Sequence, residues 1–144
     1  MFHEEKEGNM KKYILVLLTV VSLSGCHFIM YIKLYNNTKM KVNFVADSVT
    51  NSIDSGKSCV MQFPYDTFSF LVTVGNTNRL YTVPKVSKEN IETEWNSEHA
   101  STIEMLYLQL ETDWYIYGCL PTNYPVINMN YPNQAEGFPL KPSL

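Results

Sequence analysis

No apolar run in this 144-residue chain approaches the roughly 20 residues that a transmembrane helix needs. The greasiest stretch, Tyr13 to Leu23, spans only about eleven, too few to cross a bilayer core as a helix. Positive charge is also scarce: 11 Lys and Arg stand against 14 Asp and Glu, for a net charge of −3. Nucleic-acid binders carry clustered cations that meet the phosphate backbone, so DNA and RNA are not expected partners. The three histidines, His3, His27 and His99, are scattered, whereas a metal centre needs several ligands at matched spacing. No metal or other cofactor is expected. Gly56, Gly75, Gly118 and Gly137 stand singly between other residues, so no glycine-rich loop exists to cradle a phosphate. No Gly-x-Ser-x-Gly elbow holds a nucleophile either.

What is present is a succession of short β-prone runs separated by Asn, Asp, Gly, Ser and Pro, the texture of an antiparallel all-β domain. Phe28 to Tyr35 and Lys39 to Ala46 alternate around Asn36-Asn37-Thr38 and read as a first hairpin. In the second arm Met40, Val42, Phe44 and Ala46 share one face, and Lys39, Lys41, Asn43 and Val45 the other. Ile53-Asp54-Ser55-Gly56-Lys57-Ser58 reads as a turn before Cys59 to Phe63, which Pro64 stops. Phe68 to Val74 is dense enough in apolar residues for a central strand, and Gly75-Asn76-Thr77-Asn78 turns it into Arg79 to Val83. Ser87 is a candidate cap for a short helix over 87–96, because Glu89 would fall in its first turn and Ile91 and Trp95 lie four apart. Thr102 to Leu110 returns to strand with Leu106, Leu108 and Leu110 on one side. Trp114 to Cys119 is the last β-prone run.

From Pro121 to Leu144 five prolines forbid regular helix or a central strand. An extended tail over 121–144 is expected, pinned on the domain by Tyr124, Val126, Ile127, Tyr131 and Phe138. About seven strands then favour two packed antiparallel sheets over a barrel. The fold class is mainly β, an antiparallel sandwich of immunoglobulin-like or transthyretin-like type over 26–120.

The amino-terminal stretch supplies an address. Lys11 and Lys12 precede the apolar run, and small residues follow it into Leu23-Ser24-Gly25-Cys26. This pattern resembles the bacterial lipoprotein signal with its lipobox. The resemblance implies a signal peptide over 1–25 and a diacylglyceryl thioether on Cys26. The mature chain would then start at Cys26, held to a membrane by its acyl chains. Each buried methylene contributes about 0.8 kcal/mol, so two or three chains hold firmly where one does not. His27 stands where an aspartate would mark inner-membrane retention in that family, which favours the outer membrane, facing the periplasm. Met1 to Asn9 carries Glu4, Glu5 and Glu7 ahead of a signal start that is normally basic, so Met10 is the expected initiator. The Asn36-Asn37-Thr38 segment and the closing Glu136 to Pro142 also look similar to parts of small envelope lipoproteins of uncharacterised activity, which brings no function with it.

Once Cys26 is lipidated, Cys59 and Cys119 have only each other as intramolecular partners. Export permits a disulfide between them, worth on the order of 2–4 kcal/mol; the alternative is two separate buried thiols. A copper set of Cys119, His99, Met105 and Met129 lacks the second histidine that follows the cysteine in cupredoxins. Tyr115 and Tyr117 offer an exposed aromatic surface for a protein partner or a sugar ring, unless the tail covers them. The expected role is a non-catalytic, lipid-anchored envelope protein with a binding or structural task and a protein partner. One alternative is an immunity-type inhibitor of an envelope-acting toxin. Another is an envelope hydrolase that uses the Glu89–Glu104 region and His99, with paired carboxylates flanking a sugar.

Overall fold

A computed structural model describes residues 28–63, 69–84, 90–98, 101–128, 131 and 134–143. The signal stretch, Met10, Cys26, His27, Glu89, His99 and Met129 lie outside the described residues. Nine strands make up the described fold: β1 (Phe28–Asn36), β2 (Val42–Ala46), β3 (Val49–Ile53), β4 (Ser58–Phe63), β5 (Ser69–Val74), β6 (Thr77–Thr82), β7 (Ile91–Asn96), β8 (Ser101–Leu110) and β9 (Ile116–Cys119). They form a mainly β sandwich of two sheets.

One sheet runs β4-β1-β8-β7, with β9 also paired to β8, and the other runs β3-β2-β5-β6. All neighbours are antiparallel except β1 and β8, which lie parallel from Phe28 opposite Thr102 to Asn36 opposite Leu110. β7 and β9 share the far side of β8, β7 facing its first half and β9 its second. The first and second strands sit in different sheets, whereas the immunoglobulin order makes them neighbours.

Period-two alternation builds the core. Met30, Ile32 and Leu34 of β1 face Met61 and Phe63 of β4 and Leu106, Leu108 and Leu110 of β8, and all are buried. The opposing sheet contributes Val42, Phe44, Ala46, Phe70, Val72 and Tyr81. Phe44 and Phe70 meet edge to face at 4.7 Å, and Phe70 stacks on Tyr81 at 5.6 Å. Such pairs contribute about 0.5–1.5 kcal/mol each beyond their buried area.

Three expectations are corrected. Asn36-Asn37-Thr38 does not close a hairpin but carries the chain from one sheet to the other. Fully buried Asn36 organises that corner. Its amide donates to the carbonyls of Met40 (2.8 Å) and Ile53 (3.0 Å), and its oxygen accepts from the Thr38 amide and hydroxyl. An Asn side chain that binds backbone groups this way replaces a turn's own hydrogen bonds. Second, Ile91–Asn96 is a strand rather than part of a helix over 87–96. Ile91 and Trp95 are four apart, and that spacing is a whole number of strand repeats as well as about one helical turn, while Thr93 and Trp95 favour the extended form. Third, the last β-prone run becomes strand only at Ile116, because Trp114 adopts φ 66° and turns the chain out of β8.

Both two-residue turns in the second sheet rely on left-handed backbone. Gly75 (φ 55°) serves β5–β6, whereas Asp47 (φ 46°) and Ser48 (φ 65°) serve β2–β3 without a glycine. The tail holds cis peptide bonds at Tyr124-Pro125 and Phe138-Pro139. Leu140 exchanges two hydrogen bonds with Ile116, and Ser143 exchanges two with Leu80. Residues 140–143 thus tie β9, at one sheet's margin, to β6, the edge of the other.

Candidate functional site

The outer face of the five-stranded sheet gathers the chemistry that sequence reading scattered. Because Ile32, Leu34, Leu106 and Leu108 point inward, alternation turns Tyr31, Lys33, Tyr35, Met105 and Tyr107 outward, all of them half-buried. β9 adds Tyr117 and Cys119 to this face, in register with Gln109 and Tyr107. The tail then lays Tyr124 and Tyr131 over it. Six of the ten tyrosines therefore lie on one surface.

Aromatic and cationic contacts order the middle of this face. Tyr124 meets Tyr107 at 4.9 Å and Tyr35 at 6.2 Å, both edge to face. The Lys33 ammonium sits 5.5 Å from the Tyr124 ring and 5.8 Å from Tyr107, within cation–π range. Tyr107 donates its hydroxyl proton to Glu92 of β7. That hydrogen bond, then burial and the Glu92 charge, push its phenol up to about 12. The Tyr124 hydroxyl is buried without a hydrogen bond of good geometry. Burial raises its pKa, and the facing Ser58 side chain lowers it in part.

A polar hub beneath the tail holds the arrangement together. Glu111 is completely buried and meets no cation within ion-pair distance among the described residues. Its carboxylate accepts two hydrogen bonds from the Asn37 amide (3.0 and 2.8 Å), one from Gln109 (2.7 Å) and one from the Tyr131 hydroxyl. These donors replace the water that a buried carboxylate otherwise loses at high cost. Gln109 also grips the tail backbone, donating to the Val126 carbonyl (2.9 Å) and accepting from its amide (2.8 Å). Gln134 of the tail grips Gly118 of β9 in the same way, accepting from its amide (2.9 Å) and donating to its carbonyl (3.1 Å). Two glutamines thereby act as short lengths of artificial strand.

The residues singled out from the sequence fall as follows. Tyr117 lies under the tail, stacked on Tyr131 with ring centres 4.1 Å apart, and burial followed by its hydrogen bond to Asp113 raises its pKa. Tyr115 precedes β9, half-exposed, with the Lys141 ammonium 5.7 Å from its ring. Cys59 and Cys119 are free thiols. Cys59 sits opposite Leu34 on the core side of β4, while Cys119 is opposite Tyr107 on the outer side. Three strand spacings, about 14 Å, separate them, against the roughly 7 Å limit of a disulfide. The structure holds the alternative, two separate thiols. Burial pushes Cys59 up to about 11, and burial with the nearby Glu111 charge pushes Cys119 up to about 12.

Glu92 and Glu94 project from the outer side of β7, Glu104 has the opposite parity on β8, and Glu98 occupies the exposed turn between them. Among the described residues no group of three metal-ligating side chains converges. An open depression of about 410 Å³ follows the loop over 122–128.

Sequence reading missed Lys33, Gln109, Glu111 and Gln134. One signal was available: Gln109 follows Ile103, Met105 and Tyr107 on the second face of β8, and a polar residue in a strand buried on both faces needs a buried partner. Comparison with protein-family models, with curated proteins and with solved structures finds no match for this chain. Function must therefore be read from its own residues.

Proposed function

We propose that this chain is a lipid-anchored protein of the bacterial cell envelope, held at the outer membrane and facing the periplasm. On this reading its sandwich has a non-catalytic binding role, and the outer face of the five-stranded sheet receives a protein partner. The observation that carries the reading is Leu23-Ser24-Gly25-Cys26, placed two residues ahead of Phe28, where β1 begins. A lipid on Cys26 would hold the folded domain almost directly, with no long tether between.

The binding role draws on the tyrosine face. Tyrosine offers large contact area with few torsions to immobilise and is enriched at interfaces while lysine is depleted. Here six tyrosines share one face with Lys33, whose ammonium meets the rings of Tyr107 and Tyr124. Val60 lies beside it, opposite Lys33 in the pairing of β4 with β1, and is 45% exposed.

The test is a photoreactive side chain at Val60 in intact cells, with one at exposed Thr50 on the other sheet as control. Capture of a defined protein from position 60 alone is the expected result. Equal capture from both positions, or none from either, would remove the binding face. A captured toxin would specify the immunity role.

A further inference from the structure

β1 starts at Phe28, so two residues of chain, about 7 Å when extended, separate its entry into the sheet from Cys26. Phe28 is in register with Thr102, and Thr102 with Trp95. Trp95 therefore lies level with that entry point and two strand spacings, about 10 Å, to one side. Its side chain is 60% exposed, the only aromatic ring among the exposed large apolar side chains described.

The second sheet contributes to the same end. Asn36, at the far end of β1, binds the Ile53 carbonyl, and Ile53 pairs with Val42, so β2 starts at that far corner. β2 then returns toward Phe28: Phe44 lies 6.0 Å from Phe63, which is opposite Met30. The Asp47–Ser48 turn follows, with Val49 56% exposed beside it. One end of the sandwich thus combines the start of β1, two residues along the chain from Cys26, with an exposed indole and an exposed valine.

We propose that this end rests on the lipid surface, with Trp95 seated in the headgroup layer. The inference depends on the lipid-anchoring reading above and adds an orientation to it. Indole rings favour the boundary between water and hydrocarbon, and a chain held by acyl groups is already confined there. Trp95 then sets the tilt of the domain rather than its attachment. The charged side chains described around it are acidic, Glu94 and Glu98 with Asp47 at the turn, so the surface that fits is net-neutral, of the phosphatidylethanolamine type. The opposite end, with Asn37, Gly56 and Gly75, points away from the membrane. The tyrosine face stands upright between the two ends, open to a partner from the side.

The full chain, processed in a lipoprotein-competent host, is reconstituted into vesicles of phosphatidylethanolamine and phosphatidylcholine. The Trp95 signal is the difference in fluorescence between wild type and Trp95→Phe, a change at an exposed site that leaves Trp114 as the common background. Lipids brominated on their acyl chains should quench that signal by at least about half, and aqueous acrylamide should quench it less than in the soluble Cys26→Ser protein. Trp95→Phe itself should remain membrane-bound. If the chain is acylated and vesicle-bound but Trp95 stays as open to acrylamide as in Cys26→Ser, the orientation is overturned and the anchor stands. If mass analysis of the same preparation finds no lipid on Cys26, both are overturned.

Discussion

Replacing Glu111 by Gln keeps the volume of the side chain and removes its charge from a site with no access to water. In the native protein four hydrogen bonds converge on that carboxylate, from Asn37 (twice), Gln109 and Tyr131. Hydrogen bonds to an ionised acceptor contribute about 1.5–3 kcal/mol each, against about 1 for neutral pairs. The new amide also sets a donor against the donor of Asn37. Half-exposed Asn37 and Tyr131 recover part of the loss from water, so the expected destabilisation is about 2–3 kcal/mol. With a urea m-value of about 1–3 kcal/mol/M for a domain of this size, the midpoint should fall by about 1–2 M with m unchanged. Tyr131→Phe should cost about 1 kcal/mol alone, and its effect should largely vanish in the Glu111→Gln background. A midpoint shift under about 0.3 M, or full additivity of the two changes, would refute the hub as the element that fastens the tail.

Other outcomes follow from single features of the fold. Ser48 holds φ 65° without being glycine, so Ser48→Gly should raise stability by about 0.5–1 kcal/mol in urea unfolding, after allowing for glycine's greater freedom in the unfolded chain. Cys59 and Cys119 should both label under denaturing, non-reducing conditions. In the folded protein Cys119, pushed up to about 12, should react at least about tenfold slower at pH 8 than in the denatured chain; a thiol count of zero without reductant would contradict the placement of these cysteines on opposite faces. Tyr81 and Tyr107 are both raised from 10 to about 12, so between those values the folded state binds more protons than the unfolded one. Stability should be fully present below pH 10 and decline from there toward 12, read as a falling urea midpoint, and a midpoint independent of pH in that window would contradict the assignment.

The core was legible because strand alternation carries its own register. Leu106, Leu108 and Leu110 on one side of β8, and Val42, Phe44 and Ala46 on one side of β2, face inward as their spacing required. Pairing between strands was not legible. Nothing in Asn36-Asn37-Thr38 distinguishes a hairpin turn from a passage between sheets until the partners of the Asn36 amide, 4 and 17 residues away, are known. The same limit governs Cys59 and Cys119, whose separation depends on two intervening strands rather than on anything local. The helix reading at Ile91 to Asn96 failed for a different reason, since a four-residue apolar spacing satisfies both periods. Of the outer face, Tyr117 was legible as a β-strand aromatic. Its cover by Tyr131 depends on the Gln109 and Gln134 clasps, long-range contacts that no local pattern encodes.

The most direct test of the central claim is intact mass analysis of the amino-terminal peptide from membrane-extracted protein made in a lipoprotein-competent host. A lipid-anchored envelope role predicts a chain that begins at Cys26 with a diacylglyceryl group on its sulfur. An unmodified Cys26 inside an uncleaved chain would contradict it.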